Sequence, residues 1–484
     1  MSDNITLRDI ESWLSRSSGQ LPAEEVLTIR QYLVVIGEEP ASAKRQLLLE
    51  GLHLRAGSAI ETLLPRLYNV RLPISSSTRQ TVRSMQDALD TLARLELEIV
   101  ESPDAPPPRA PTMPIALALW RVFEALTQHL TLANLIAAPA SPGTWVKLHR
   151  AYLAAWRHQA GNRTPTKAPQ DLQTVYARAL ILGSLPPSAL NAHEWAFLHR
   201  FLDTAKAPLT VTMTPDESET TLWVSPDIDT PPMLIDRRAP RDGTLAFFVQ
   251  CSGILAEIKQ ALTALLQDNK RPSFLPDDTS TRTARIALRR LRDHLSLPRK
   301  RRFNRRRQGY RAALCVGFEE ICLLLKTGIE SQGTLTEWMI VNESPGGYAA
   351  MHVSGKPRKA QVGDLVALRR AEETQWSINV VRWALSENPE HLEFGLEEIS
   401  PSAISGHMTT PGLRTISHPQ ALLLPAVPPL RVSEAIALSP ANQPKRDQSH
   451  IFIADGKRAE IREFRLGRPI EQSSGIDISL ISPL

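Results

Sequence analysis

The chain has 484 residues, 42% hydrophobic and 22% charged, with a net charge of +5 and three cysteines. That length exceeds one ordinary domain, and the apolar content is enough to bury real cores, which argues against a disordered or low-complexity chain. Too few cysteines for a disulfide framework and no run of eighteen apolar residues argue against a stapled secreted scaffold and a membrane-spanning protein.

The opening stretch, MSDNITLRDIESWL, is amphipathic and contains acids, unlike a secretory signal, so a cytoplasmic location is expected. Residues 1–100 carry apolar positions at three- and four-residue spacing in DIESWLSR, AEEVLTIRQYLVVIG and STRQTVRSMQDALDTLARLELEIV, which predicts helices. ESPDAPPPRAPTMP (101–114) holds six prolines and is predicted to be a semi-rigid linker. Helical pattern resumes over 115–270. Trp145, Leu148, Tyr152 and Ala155 share a face there, compatible with a helical-hairpin array, although no sustained repeat period is present and a plain bundle fits equally.

PLTVTMTPDESETTLWVSP (208–226) alternates apolar and polar residues and is predicted to be a short β-excursion in the form of a hairpin. SGILAEIKQALTALLQD then reads as a helix with Ser252 as its N-cap. Residues 271–298 form a basic helix and connection ending at Pro298. From Ala312 onward short strands are expected, in AALCVGFEEICLLL, TEWMIVNESPGGYAAMHVS, VGDLVALRR, QWSINVVRWALS and EFGLEEIS. Regular spacing with Gly and Pro turns indicates a small antiparallel barrel or sandwich, its core including Trp338, Trp376 and Trp383. Residues 401–484 read as a second, β-rich domain. The fold class is thus multidomain α + β: a helical N-terminal region (bundle or helical-hairpin array), a small antiparallel β-barrel, and a C-terminal β-rich domain.

Charge is concentrated. From Arg282 to Arg311 there are thirteen Arg or Lys against one acid, Asp293, so this window outweighs the net +5 of the whole chain and the remainder is acidic. Its densest part is RRFNRRRQGYR (301–311), which holds no acid. Like charges packed this closely repel unless an anion collects them. About forty residues on, WMIVNESPGGYAAM contains Asn342, Ser344 and Gly347 as N-x-S-x-x-G directly after an apolar run. That pattern alone is weak, since a chain of this length holds a D/N-x-S-x-x-G about one time in five, and an ordinary turn explains it.

An R-x-x-x-R spacing, as Arg301…Arg305 and Arg302…Arg306, upstream of N-x-S-x-x-G at the head of a small barrel resembles the PilZ domain over 299–400. The resemblance implies a PilZ-type β-barrel and a receptor for the second messenger cyclic di-GMP. It implies Arg302 and Arg306 as the ligand-binding pair, with Arg301 and Arg305 as the shifted alternative and helpers, joined by Asn342, Ser344 and Gly347. Asn342 stands where aspartate is frequent, an accepted variant. The chemistry is consistent: arginine can fork onto phosphate oxygens or guanine O6 and N7, and can stack on a purine.

No nucleophile elbow, metal-ligand pair or carboxylate pair in a catalytic context occurs, so no enzyme, cofactor or metal is expected; Cys251, Cys315 and Cys322 read as buried free thiols. A protein partner is expected at the helical region, with ligand ordering the arginine-rich hinge against the barrel; the output could be motility, pili or biofilm formation. Two alternatives remain. One is a PilZ-like interaction adaptor that binds no nucleotide, of the kind that serves type IV pili; such relatives tend to lose both motifs, which this chain keeps. The other is nucleic-acid binding through 282–311, disfavoured by the absence of a recognition helix and the scarcity of stacking aromatics beyond Phe303 and Tyr310.

Overall fold

The computed structural model describes residues 5–16, 21–40, 42–100, 113–165, 168, 170–216, 220–267, 271–296, 304–329, 335–388, 391–411, 418–428, 431–442, 444, 448–455 and 460–484. Two compact units emerge, one of residues 1–70, 75–187 and 192–299, the other of 71–74, 188–191 and 300–484.

The first unit is built on helices α1 (Leu7–Leu14), α2 (Pro22–Glu38), α3 (Ala43–Tyr68), α4 (Ser76–Val100), α5 (Met113–Leu135), α6 (Thr144–Arg157), α7 (Leu172–Gly183) and α8 (Ala192–Thr204). Local chemistry sets several starts. Thr6 and Asp9 form a reciprocal capping box on α1, Pro22 stands in the first turn of α2, and Ser42 and Asp171 accept from the Arg45 and Thr174 amides of α3 and α7. The face of α6 anticipated from spacing is buried at Trp145, Leu148, Tyr152 and Ala155. Trp145 packs so tightly on α7 that a Cβ at Gly183 would overlap its ring. Of the proline-rich segment, 101–112 lie outside the described residues, and Met113 and Pro114 already open α5.

The β-excursion is larger than a hairpin. Strands β1 (Val211–Thr212), β2 (Thr221–Val224), β3 (Met233–Leu234) and β4 (Phe247–Gln250) make a sheet in the order β1-β4-β2-β3. β4, which supplies Phe247, Phe248 and Val249 from outside the expected segment, inserts between β1 and β2 and takes the ladder on both sides. Helix α9 (Ser252–Ala264) follows, with Ser252 as its first residue; Cys251 occupies the cap position and makes no side-chain cap bond. α10 (Thr281–Ser296) ends the unit and buries Ala284, Ala287, Leu288, Leu291 and Leu295.

The second unit holds two closed six-stranded barrels. The first comprises β5 (Arg306–Val316), β6 (Leu335–Ser344), β7 (Gly347–Ser354), β8 (Leu365–Arg370), β9 (Ser377–Asn388) and β10 (His391–Ser400), closed in the order β10-β7-β6-β5-β8-β9. Its first strand starts at Arg306, six residues before the expected Ala312, and the segment after it is not strand. Helix α11 (Phe318–Thr327) covers Phe318–Leu325, where apolar residues fall at 318, 321, 322 and 325, a helical spacing that a short apolar run conceals. Trp338 and Trp376 are buried in this barrel, while Trp383 is half-buried and lies over Gly395.

The second barrel comprises β11 (Ile404–Thr409), β12 (Gln420–Leu424), β13 (Ala435–Leu438), β14 (Ser449–Ala454), β15 (Ile461–Gln472) and β16 (Asp477–Pro483). One apolar cluster runs through both: Cys315, Phe318 and Ile321 from the β5–α11 segment, Leu365 and Ile378 from the first barrel, and Leu422, Leu424, Ala435 and Ile478 from the second.

Candidate functional site

The arginine run enters the first barrel along β5. Arg301 and Arg302 lie outside the described residues; Arg305 is exposed immediately before the strand, and Arg306 and Arg307 are exposed within it. β5 is antiparallel to β6, with Arg306 opposite Glu343 and Arg307 opposite Asn342. Strand alternation therefore sends Arg307 to the Asn342 side of the sheet and Arg306 to the Glu343 side. Further along, Arg311 pairs with Glu337 at 3.2 Å, while Arg306 has no ion-pair partner among the described residues.

N-x-S-x-x-G is the end of β6 and the start of β7. Ser344 and Gly347 are paired across the two-residue turn Pro345-Gly346, and the Ser344 hydroxyl donates to the Gly347 carbonyl at 3.3 Å. Asn342 is half-buried, opposite Arg307 on one side and Ala349 on the other. Gly347 has φ +142°, and a Cβ there would overlap the Leu396 carbonyl of β10. Glycine is required by that close crossing of β7 and β10, where Gly347 pairs with Glu397, a reason different from room for a ligand.

Next to these positions a polar network closes the same end of the barrel. Arg370, the last residue of β8, donates to Glu343 Oε1 at 2.5 Å and to the Tyr348 hydroxyl at 3.3 Å. Tyr310 donates to Glu343 Oε2 at 3.2 Å, and Tyr348 to Glu398 Oε2 at 2.8 Å. The Arg370 guanidinium stands 5.4 Å from the Tyr310 ring centroid and 5.6 Å from that of Tyr348. Burial pushes the Tyr310 phenol up to about 12, Arg370 opposing and Glu343 adding to the effect. Burial works against the Arg370 charge, but bonds and proximity to Tyr348, Tyr310 and Glu343 outweigh it and hold the guanidinium above its ordinary range.

The site thus contains three kinds of group: exposed arginines, short polar side chains on a tight hairpin, and a neutralised Arg–Glu–Tyr cluster beneath them. Asn342, Ser344 and Gly347 fall on one hairpin, and Arg306 and Arg307 on the strand beside it. Sequence reasoning missed Arg370, Tyr348, Glu343 and Glu398. Glu343 and Tyr348 were in view on the motif hairpin, where they pair across β6 and β7; Arg370 and Glu398 come from β8 and β10, and no local spacing links them to it. The three cysteines are free and buried; burial pushes the thiols of Cys315 and Cys322 up to about 12. Among the described residues no group of three His, Cys, Asp or Glu is placed to hold a metal ion, and no helix is long and apolar enough to cross a membrane.

Two family models match the chain. Residues 8–216 match the N-terminal domain of the cyclic-di-GMP receptor FimW, and 326–404 match the middle PilZ domain of the same receptor. The second range includes Asn342, Ser344 and Gly347, and the arginine run precedes it. A curated relative, the cyclic-di-GMP receptor FimW of Pseudomonas aeruginosa, is 32% identical over 105 residues; the match covers 18% of this chain and 17% of the relative's length.

Proposed function

We propose that this chain, which matches models of the N-terminal and middle PilZ domains of a cyclic-di-GMP receptor, is itself a receptor for cyclic di-GMP. The observation that carries the reading is the β5–β6 register, in which the end of the arginine run lies alongside Asn342, one step from the Ser344–Gly347 turn. Arg302 and Arg306, helped by Arg301 and Arg305, bind the phosphates and guanine edges of the ligand, and Asn342 and Ser344 supply short hydrogen-bonding groups at its rim. Hydrogen bonds to charged groups contribute about 1.5–3 kcal/mol each, so two or three supply most of the about 8 kcal/mol of a micromolar complex.

The chain acts as a binding protein, not an enzyme: its chemistry-bearing constellation is directed at phosphate and guanine and contains no activated nucleophile. Ligand gathers the arginine-bearing connection onto the barrel, and the signal passes to a protein partner through the helical region, with motility, pili or biofilm formation as the output. Its location is the cytoplasm, where the second messenger is found. Scattering profiles that are unchanged at saturating ligand would overturn the ordering step.

The reading is tested by calorimetric titration of the full chain with cyclic di-GMP, beside GTP and an Arg302→Ala/Arg306→Ala variant. Micromolar or tighter binding that disappears in the variant is expected. A folded wild-type protein that does not bind would end the receptor reading.

A further inference from the structure

Arg306 faces an acid it does not pair with. Glu343 is its direct partner across β5 and β6, and opposite charges so placed on one face of a sheet attract. Yet both carboxylate oxygens of Glu343 are already engaged, Oε1 by Arg370 at 2.5 Å and Oε2 by the Tyr310 hydroxyl at 3.2 Å. The holder is itself held. Arg370 donates to Tyr348, lies beside the Tyr310 and Tyr348 rings, and has a second acid, Glu373, at 3.6 Å.

We propose that Arg370 is a positioning residue that keeps Glu343 away from Arg306, so that the Arg306 guanidinium stays available to an anionic ligand. This inference rests on the reading of Arg306 as a ligand-binding group. A carboxylate directly across the strand from a phosphate-binding arginine would compete with the phosphate for the same N–H donors. Arg370 removes that competitor without removing the acid, and the acid in turn ties β6 to β8 and β5. The arrangement also accounts for an acidic residue in the middle of a motif directed at a dianion.

The test is a double-mutant cycle on the full chain, read by titration with cyclic di-GMP. Arg370→Met keeps an unbranched stem against the two tyrosines but frees Glu343 to swing to Arg306. It is expected to weaken binding about tenfold, the equivalent of one hydrogen bond to a charged group. Adding Glu343→Gln to that variant removes the released charge and is expected to restore affinity to within about threefold of wild type. A purely structural role for Arg370 gives no such rescue, because Glu343→Gln restores none of the bonds that Arg370→Met removes. Unchanged affinity in Arg370→Met, or a loss that Glu343→Gln leaves in place, would overturn the proposal.

A ligand-free readout separates this result from a failure of the receptor reading. In a crystal structure of Arg370→Met, Glu343 is expected within ion-pair distance of Arg306, whether or not wild type binds the nucleotide. Glu343 still turned away from Arg306 there would refute the positioning role by itself.

Discussion

Gly347 and Leu396 meet backbone to backbone: the hydrogen that stands in place of a side chain on Gly347 is directed at the Leu396 carbonyl, where nothing larger fits. Gly347→Ala therefore adds a clash that only movement of β10 can relieve, at a φ of +142° that L side chains rarely adopt. Strain of this kind costs about 1–3 kcal/mol before the clash is counted. Chemical denaturation is expected to show a loss of at least that size in the β-rich unit. Equal stability of wild type and variant would mean that the crossing is looser than the structure has it.

The exposed arginines should behave oppositely. Replacing Arg305, Arg306 and Arg307 together by alanine removes groups exposed to solvent. Folding stability is expected to change by no more than about 0.5 kcal/mol, while ligand binding is lost. A large drop in melting temperature would assign these residues a structural role instead.

In the helical unit, three histidines are held neutral. Burial lowers His53 to about 3 and both His149 and His199 to about 4. His149 shows why: its Nε2 lies 3.0 Å from the Thr230 carbonyl and must donate, so Nδ1 accepts from the Tyr176 hydroxyl at 2.9 Å, leaving no lone pair for a second proton. The unfolded chain takes up these protons near pH 6.5 and the folded one does not, so stability falls as pH drops from about 6.5 toward 4, by up to about 1.4 kcal/mol per pH unit for each histidine. Glu96, raised by burial to about 7 and 3.6 Å from His53, works the other way. Its protonated form is favoured in the folded state, and it contributes stability below its ordinary pKa that is lost as pH rises through 7. Burial also raises Glu124 and Asp203 and lowers His129 in this unit, but the large displacements of His53, His149 and His199 set the sign, so denaturation midpoints should drop as pH is lowered from 6.5 to 4.5. A flat or rising midpoint would contradict their burial as neutral groups.

The cysteines should be inert in the folded chain. Cys251, Cys315 and Cys322 are at most 1% exposed, and a thiolate forms poorly in such surroundings. A thiol reagent is expected to modify them only on unfolding; rapid labelling of native protein would show that one of them is reached by solvent.

What could be read in the sequence is what depends on local spacing. The helical face at Trp145, Leu148, Tyr152 and Ala155, the β-rich second half, and the two motifs each lie within a few turns or one hairpin. Phe318–Thr327 was misread because ten residues rich in Leu, Ile and Cys suit a buried strand as well as a buried helix, and only the 318, 321, 322, 325 spacing separates them. β4 was missed because its strand pairs with neighbours 23 and more residues away in sequence. The same distance hides Arg370: it reaches Glu343 across 27 positions and through a strand that was identified only as part of a barrel wall. Residue types announce that arginines can meet an anion. Which acid is kept out of their way is a property of the closed sheet.

The apolar cluster that runs from the β5–α11 segment into β12, β13 and β16 has a practical consequence for anyone dividing the gene. Residue 400 looks like a natural place to stop, since a barrel closes there. A protein ended at that point would leave Phe318, Ile321, Leu365 and Ile378 without the leucines and isoleucines that cover them, and would strip Arg382 of Glu471, which it binds at 2.6 Å, leaving only Glu397. Such a fragment would carry a greasy wound on its flank and is expected to aggregate or to require a solubilising fusion. Nucleotide-binding assays on it would then report on a damaged barrel, and a negative result from the truncated protein would say nothing about the intact chain.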